Sequence, residues 1–77
     1  MARYVFRLRA HDDRTRNRRK FADLPAAIEG AKDELREFLA DQVRNGYMDR
    51  TLTVEICDAE GVPVATVHCT DAVKLRD

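Results

Sequence analysis

Residues 23–46 read DLPAAIEGAKDELREFLADQVRNG, and the reading of that stretch decides the fold. Asp23 is placed to cap a helix, and Pro25 falls in its first turn, where a missing N–H costs nothing. Leu24, Ile28, Ala31, Leu35, Phe38, Leu39 and Val43 then recur at steps of three and four, which is one helical face. Glu29, Lys32, Asp33, Glu34, Glu37 and Asp41 fall on the wet side. Asn45-Gly46 supplies a left-handed stop. The spacing predicts a helix over 24–44, roughly 30 Å long at 1.5 Å per residue. Gly30 inside it costs about 1 kcal/mol against Ala, so it either marks close packing on a sheet or is merely tolerated.

Upstream, residues 3–9 alternate: Tyr4, Phe6 and Leu8 share one face, while Arg3, Val5, Arg7 and Arg9 take the other. This is the pattern of a half-buried strand. Residues 10–23 are polar and Arg-rich, and read as a loop whose only large apolar residue, Phe21, anchors its return. Downstream, strand 51–57 turns Leu52, Val54 and Ile56 to one face. Asp58-Ala59-Glu60-Gly61 forms a turn with Gly61 at its left-handed position, and strand 62–70 returns. If Asp58 pairs with Val62, then Val67 and Cys69 face outward; a shift by one residue reverses this. Residues 71–77 read as a frayed tail.

The expected fold is α+β in the order β-α-β-β: a three-stranded antiparallel sheet, order 1-3-2, with one long amphipathic helix on one face. That is half of a split βαβ plan. One helix covers one face only, so the other face and the first strand's edge call for a partner. A homodimer through strand edges or the uncovered face is expected. The plainer alternative is a monomer in which Arg3, Arg7 and Arg9 keep that face soluble.

A chain of 77 residues holds one domain, and 44% hydrophobic with 36% charged residues makes it globular with a modest core. Fourteen Lys and Arg cancel fourteen Asp and Glu, so net charge gives no argument for nucleic acid. There is no Trp and no Ser, which excludes serine nucleophiles and phosphoserine switches. Residues 1–10 read as a strand rather than a leader, and nothing approaches the ~20 apolar residues of a membrane span. A soluble cytoplasmic protein with reduced thiols and no membrane partner is expected.

The charges are, however, segregated. Residues 1–20 carry eight basic groups against Asp12 and Asp13, a net of +6, and the rest of the chain carries −6. Arg14, Arg16, Arg18, Arg19 and Lys20 are the candidate anion- or partner-binding residues. They can grip phosphates, dock on an acidic protein surface (a second copy's helix included) or remain solvated. No aromatic residue is interleaved among them, which argues against base stacking.

Other constellations carry less. His68 and Cys69 are adjacent on a strand and point to opposite faces, so with Cys57 they make a poor metal site. Cys57 and Cys69 lie toward opposite ends of the hairpin in the favoured register, which argues against a disulfide. His11-Asp12-Asp13 reads as a strand end and turn. Glu37 and Asp41 share a helix face, but Lys32, Arg36 and Arg44 interleave with the acidic residues into a salt-bridged, solvated surface. No metal, cofactor or catalytic residue is expected.

Three features together resemble a known family: Met1-x-x-Tyr4-x-Phe6, Asp23-Leu24-Pro25-Ala26-Ala27, and Val54-x-x-x-Asp58-x-x-Gly61. The family is a set of short uncharacterised bacterial proteins, common in rhizobia and related soil bacteria, with a domain-of-unknown-function label. The resemblance covers roughly residues 2–69. It implies the strand, helix, hairpin order and a bacterial cytoplasm, and brings no catalytic residue. The chain departs from the family in its first loop, usually short and acidic or glycine-bearing, so a function of the basic segment is particular to this protein. The expected function is a non-enzymatic interaction or regulatory module acting through protein contacts. The alternative is a nucleic-acid-binding accessory protein using Arg14, Arg16, Arg18, Arg19 and Lys20.

Overall fold

Phe6 and Leu8, alternate residues of strand β1 (Ala2–Arg9), are almost wholly buried and set the inner side of the sheet. The computed structural model describes residues 2–9 and 14–73, with Arg14 and Thr15 described by their backbone alone. The remaining elements are β2 (Arg14–Phe21), α1 (Leu24–Arg44), β3 (Thr53–Cys57), β4 (Pro63–His68) and a short α2 (Cys69–Ala72).

The architecture is α+β, with one long helix and an antiparallel sheet as expected, but the sheet has four strands in the order β2-β1-β3-β4. Two expectations are corrected. The segment read as loop 10–23 contains β2, which pairs with all of β1 from Ala2↔Phe21 to Arg9↔Arg14. The last strand lies at the edge, and β3 sits beside β1. Both corrections have one cause. The helical crossover starts from β2 rather than β1, passes over β1 and lands on its far side as β3. The hairpin then has only the outer edge to occupy.

The helix is bounded as its sequence requires. Asp23 accepts a hydrogen bond from the Ala26 N–H at 3.0 Å. Gly46, at φ +87°, ends it with its N–H on the Val43 carbonyl. Ala27, Ala31, Leu35 and Leu39 form the face buried against Phe6, Leu8, Val54, Ile56 and Val67. Three positions depart from the expected division into a buried stripe and a wet side. Val43 is 59% exposed, and its neighbour Gln42 turns inward so that its Oε1 accepts from the Asp49 N–H at 2.9 Å. Glu34, expected on the wet side, is only 8% exposed, because β2 lies against that flank of the helix.

Of the two readings of Gly30, the structure selects close packing. A Cβ there would meet Phe21 Cζ at 2.5 Å and Cε1 at 2.6 Å. The Phe21 ring has little room to retreat, since it stacks on Phe6 at 5.5 Å and leans on Tyr4 at 6.4 Å. Phe21 thus anchors its segment as expected, at the end of a strand. Helix propensity alone would favour Gly30→Ala by about 1 kcal/mol, but overpacking costs ~1–3 kcal/mol. The variant is therefore expected to lose about 1 kcal/mol net, read as a lower urea midpoint. A raised midpoint would show that the ring moves aside.

The hairpin resolves the facing of the last strand. At the turn Asp58 N–H bonds to the Val62 carbonyl, the favoured register, with Gly61 at φ +85°. An irregularity between Ile56 and Cys57 then shifts the pairing, so Ile56 faces Ala65 and Val54 faces Val67. Val67 is therefore buried and Val64 exposed, the reverse of the unshifted pairing. The strands are shorter than the expected 51–57 and 62–70. Part of the expected tail is α2, fixed by Arg36 Nε donating to the Ala72 carbonyl at 2.8 Å, while residues 74–77 lie outside the described residues.

Candidate anion-binding face

Alternation assigns the face that α1 does not cover. On β1 it carries Arg3, Val5, Arg7 and Arg9, and the register sets Lys20, Arg18, Arg16 and Arg14 opposite them in turn. On β3 it carries Thr53, Glu55 and Cys57, with Cys57 opposite Val5, Glu55 opposite Arg7 and Thr53 opposite Arg9. Six cations with described side chains therefore share this face: Arg3, Arg7, Arg9, Arg16, Arg18 and Lys20. All but Arg7 belong to exposed residues.

Glu55 is the only carboxylate that β1, β2, β3 or β4 adds to this face. It lies 3.5 Å from Arg7 Nη1 and 3.8 Å from Arg9 Nη2, quenching one end of the basic field. Arg3, Arg16, Arg18 and Lys20 make no ion pair among the described residues. Their charge is directed at solvent.

Of the five residues singled out from the sequence, Arg16, Arg18 and Lys20 stand together here, and Arg14 joins them by register. Arg19 does not. It lies on the inner side, with Nε 3.7 Å from Glu34 Oε2, while Asn17 Nδ2 donates to Glu34 Oε1 at 2.6 Å. Arg19 and Asn17 thus meet a buried carboxylate and hold β2 to the helix. Arg3, Arg7 and Arg9 are the site residues that the sequence reading left as a soluble strand face. A signal was present: Arg14, Arg16, Arg18 and Lys20 alternate with the period of a strand.

Toward the Arg3–Lys20 end the face deepens into a recess of about 400 Å³ between the β1–β2 ribbon and the β3–β4 turn. Arg3, Val5, Arg18, Lys20 and Ala59 line it from this face, and Tyr4 and Arg19, whose side chains alternate to the inner side, complete its lining. Cys57 sits beside this region, fully buried, and burial pushes its thiol up, so it is protonated at neutral pH. Cys69 is a separate free thiol in the helix-side core, donating to the Arg50 carbonyl at 3.1 Å. Among the described residues no three His, Cys, Asp or Glu side chains are grouped to hold a metal ion, and no helix is long and apolar enough to cross a membrane. His11, Asp12 and Asp13 lie outside the described residues.

Residues 3–70 match a family described as a domain of unknown function, DUF6894. The chain belongs to the DUF6894 family. The match runs from β1 through His68 into α2, so the family's unit is the whole sheet with its helix. No curated protein and no solved structure matches the chain. DUF6894 membership therefore brings a boundary and no chemistry, and the basic face has to be read from its own geometry.

Proposed function

We propose that this protein is a non-enzymatic binding module whose open sheet face grips the phosphate backbone of a nucleic acid without reading its sequence. The observation that carries this reading is the regular pairing of two cationic rows. Residues two apart on a strand are roughly 6.8 Å apart, and the two rows lie about 4.8 Å from each other. Six described cations on four such rungs, with Val5 the one apolar position, give one positive charge per about 4.5 Å of length, of the same order as the ~3.4 Å charge spacing of one nucleic-acid strand. None of the strand residues on this face is aromatic, since Tyr4, Phe6 and Phe21 all alternate to the inner side. Base stacking is accordingly not part of the reading.

Protein contact is the competing reading, because an acidic surface would meet the same cations. The repeat of the two rows favours a polymer of evenly spaced charges. Face-to-face pairing of two copies is disfavoured by the same arithmetic, since it sets arginine against arginine.

Six cations less Glu55 leave about five net charges for phosphates, which gives a slope of log affinity against log salt near −4.5 on duplex DNA. Raising salt from ~50 to ~200 mM should then weaken binding about 500-fold on a duplex, and about 100-fold on a single strand. Fluorescence anisotropy on arbitrary-sequence oligonucleotides measures both. Absence of binding at ~50 mM salt would sink the proposal. So would equally tight binding of polyglutamate, which would transfer the face to an acidic protein.

A further inference from the structure

The basic face has two unlike ends. Around Arg7 and Arg9 the charge is shared with Glu55. Around Arg3 and Lys20, which stand directly opposite each other, no ion pair with a carboxylate is made among the described residues. In the adjoining turn, Asp58 has Oδ1 committed at 2.9 Å to both the Glu60 and the Val62 N–H groups, which leaves that oxygen no need of an arginine. Arg18, opposite Val5, is the third cation that this face brings to the recess. Ala59 lines the recess from the β3–β4 turn, and its volume of about 400 Å³ lies within the range that holds small organic ligands.

We infer that this recess seats a terminal phosphomonoester, the phosphorylated end of a nucleic-acid strand; the inference rests on the phosphate-backbone reading of the face. A backbone diester carries one charge and needs one cation. A monoester carries about −1.5 to −2 at neutral pH and presents three acceptor oxygens. Three cations of the open face, Arg3, Arg18 and Lys20, line one concavity and match the monoester, since guanidinium forks take two of its oxygens at a time. The flat remainder of the ribbon, with its charges strung in rows, suits the diesters that follow. The recess thus gives the face a polarity: one end receives a strand terminus and the rows receive its continuation.

The test compares internally labelled oligonucleotides that end in a 5′-phosphate, a 3′-phosphate or hydroxyls alone, on the full chain at ~100 mM salt. One phosphorylated form is expected to bind about tenfold more tightly than the hydroxyl-ended strand. In the Arg3→Ala/Arg18→Ala variant, whose exposed changes leave the core intact, that difference should vanish while weaker binding persists. Equal affinity of all three strands for the unaltered protein overturns the inference and leaves the face reading standing. A preference that survives in the double variant overturns its assignment to this recess. A nucleoside monophosphate that binds as tightly as the phosphorylated strand overturns the strand-end form, and no binding by any strand overturns both proposals.

Discussion

Replacing Arg16, Arg18 and Lys20 together by glutamate is expected to abolish nucleic-acid binding while leaving the fold as stable as before. The three changes swing the face by six charges, from about +5 to about −1, so the counterion term that supplies affinity disappears with its salt dependence. Affinity at ~50 mM salt should fall more than about 1,000-fold. The stability half of the expectation follows from position. All three residues are exposed on the outer side of the edge strand β2, away from Phe21, Asn17 and the helix. A carboxylate introduced at position 16 stands directly opposite Arg7, and an opposite-charge cross-strand pair contributes roughly 0.2–1 kcal/mol. The thermal midpoint should hold or rise slightly, so lost binding cannot be ascribed to unfolding. Anisotropy and a thermal melt on the same sample check the two halves. Retained, salt-sensitive binding would remove the open face from the account. Arg19→Ala is the matching comparison: it deletes a cation from the same run, yet it should cost stability through Glu34 and far less affinity than the triple change.

The contrast between Arg19 and its neighbours shows where sequence reading stops. The helix was legible to its last residue, because caps, Pro25 and Gly46 act within a few residues of one another. The alternation of β1 and the Gly61 turn were legible for the same reason. Strand β2 was not, since its inward positions include Asn17 and Arg19 rather than a row of apolar residues. Their burial partner, Glu34, lies on another element, and only the assembled sheet brings them together. Once β2 is missed, strand order fails with it, because the crossover is attributed to the wrong strand. The facing of β4 hung on a one-residue irregularity at Ile56 and Cys57 that no local pattern announces. The candidate site inherits this division: the cations were visible as residues, and the pairing that makes them a face was not.

That pairing depends on one ring in the middle of the sheet, and Phe6→Ala is expected to be the most destabilising single change in the molecule. Phe6 is 1% exposed, lies between Asn17 of β2 and Ile56 of β3, and stacks on Phe21 at 5.5 Å with an interplanar angle of 17°. Truncating a buried phenylalanine costs about 3–5 kcal/mol through lost transfer energy and the cavity left behind. A domain of 77 residues has roughly 4–12 kcal/mol in all, so the variant should be partly unfolded near body temperature and show a much reduced urea midpoint. The damage also has a direction. Phe21 packs between Phe6 and Gly30, and without Phe6 the ring that ties β2 to the body has lost its flat support. The edge strand should therefore exchange its amide hydrogens ahead of β3 and α1, and binding should weaken in the same temperature range in which β2 detaches. A loss below about 1 kcal/mol would mean that the stack does not carry the sheet. If instead β2 and β3 lose protection together, Phe6 supports the whole core evenly, and the coupling between aromatic packing and the cationic face dissolves.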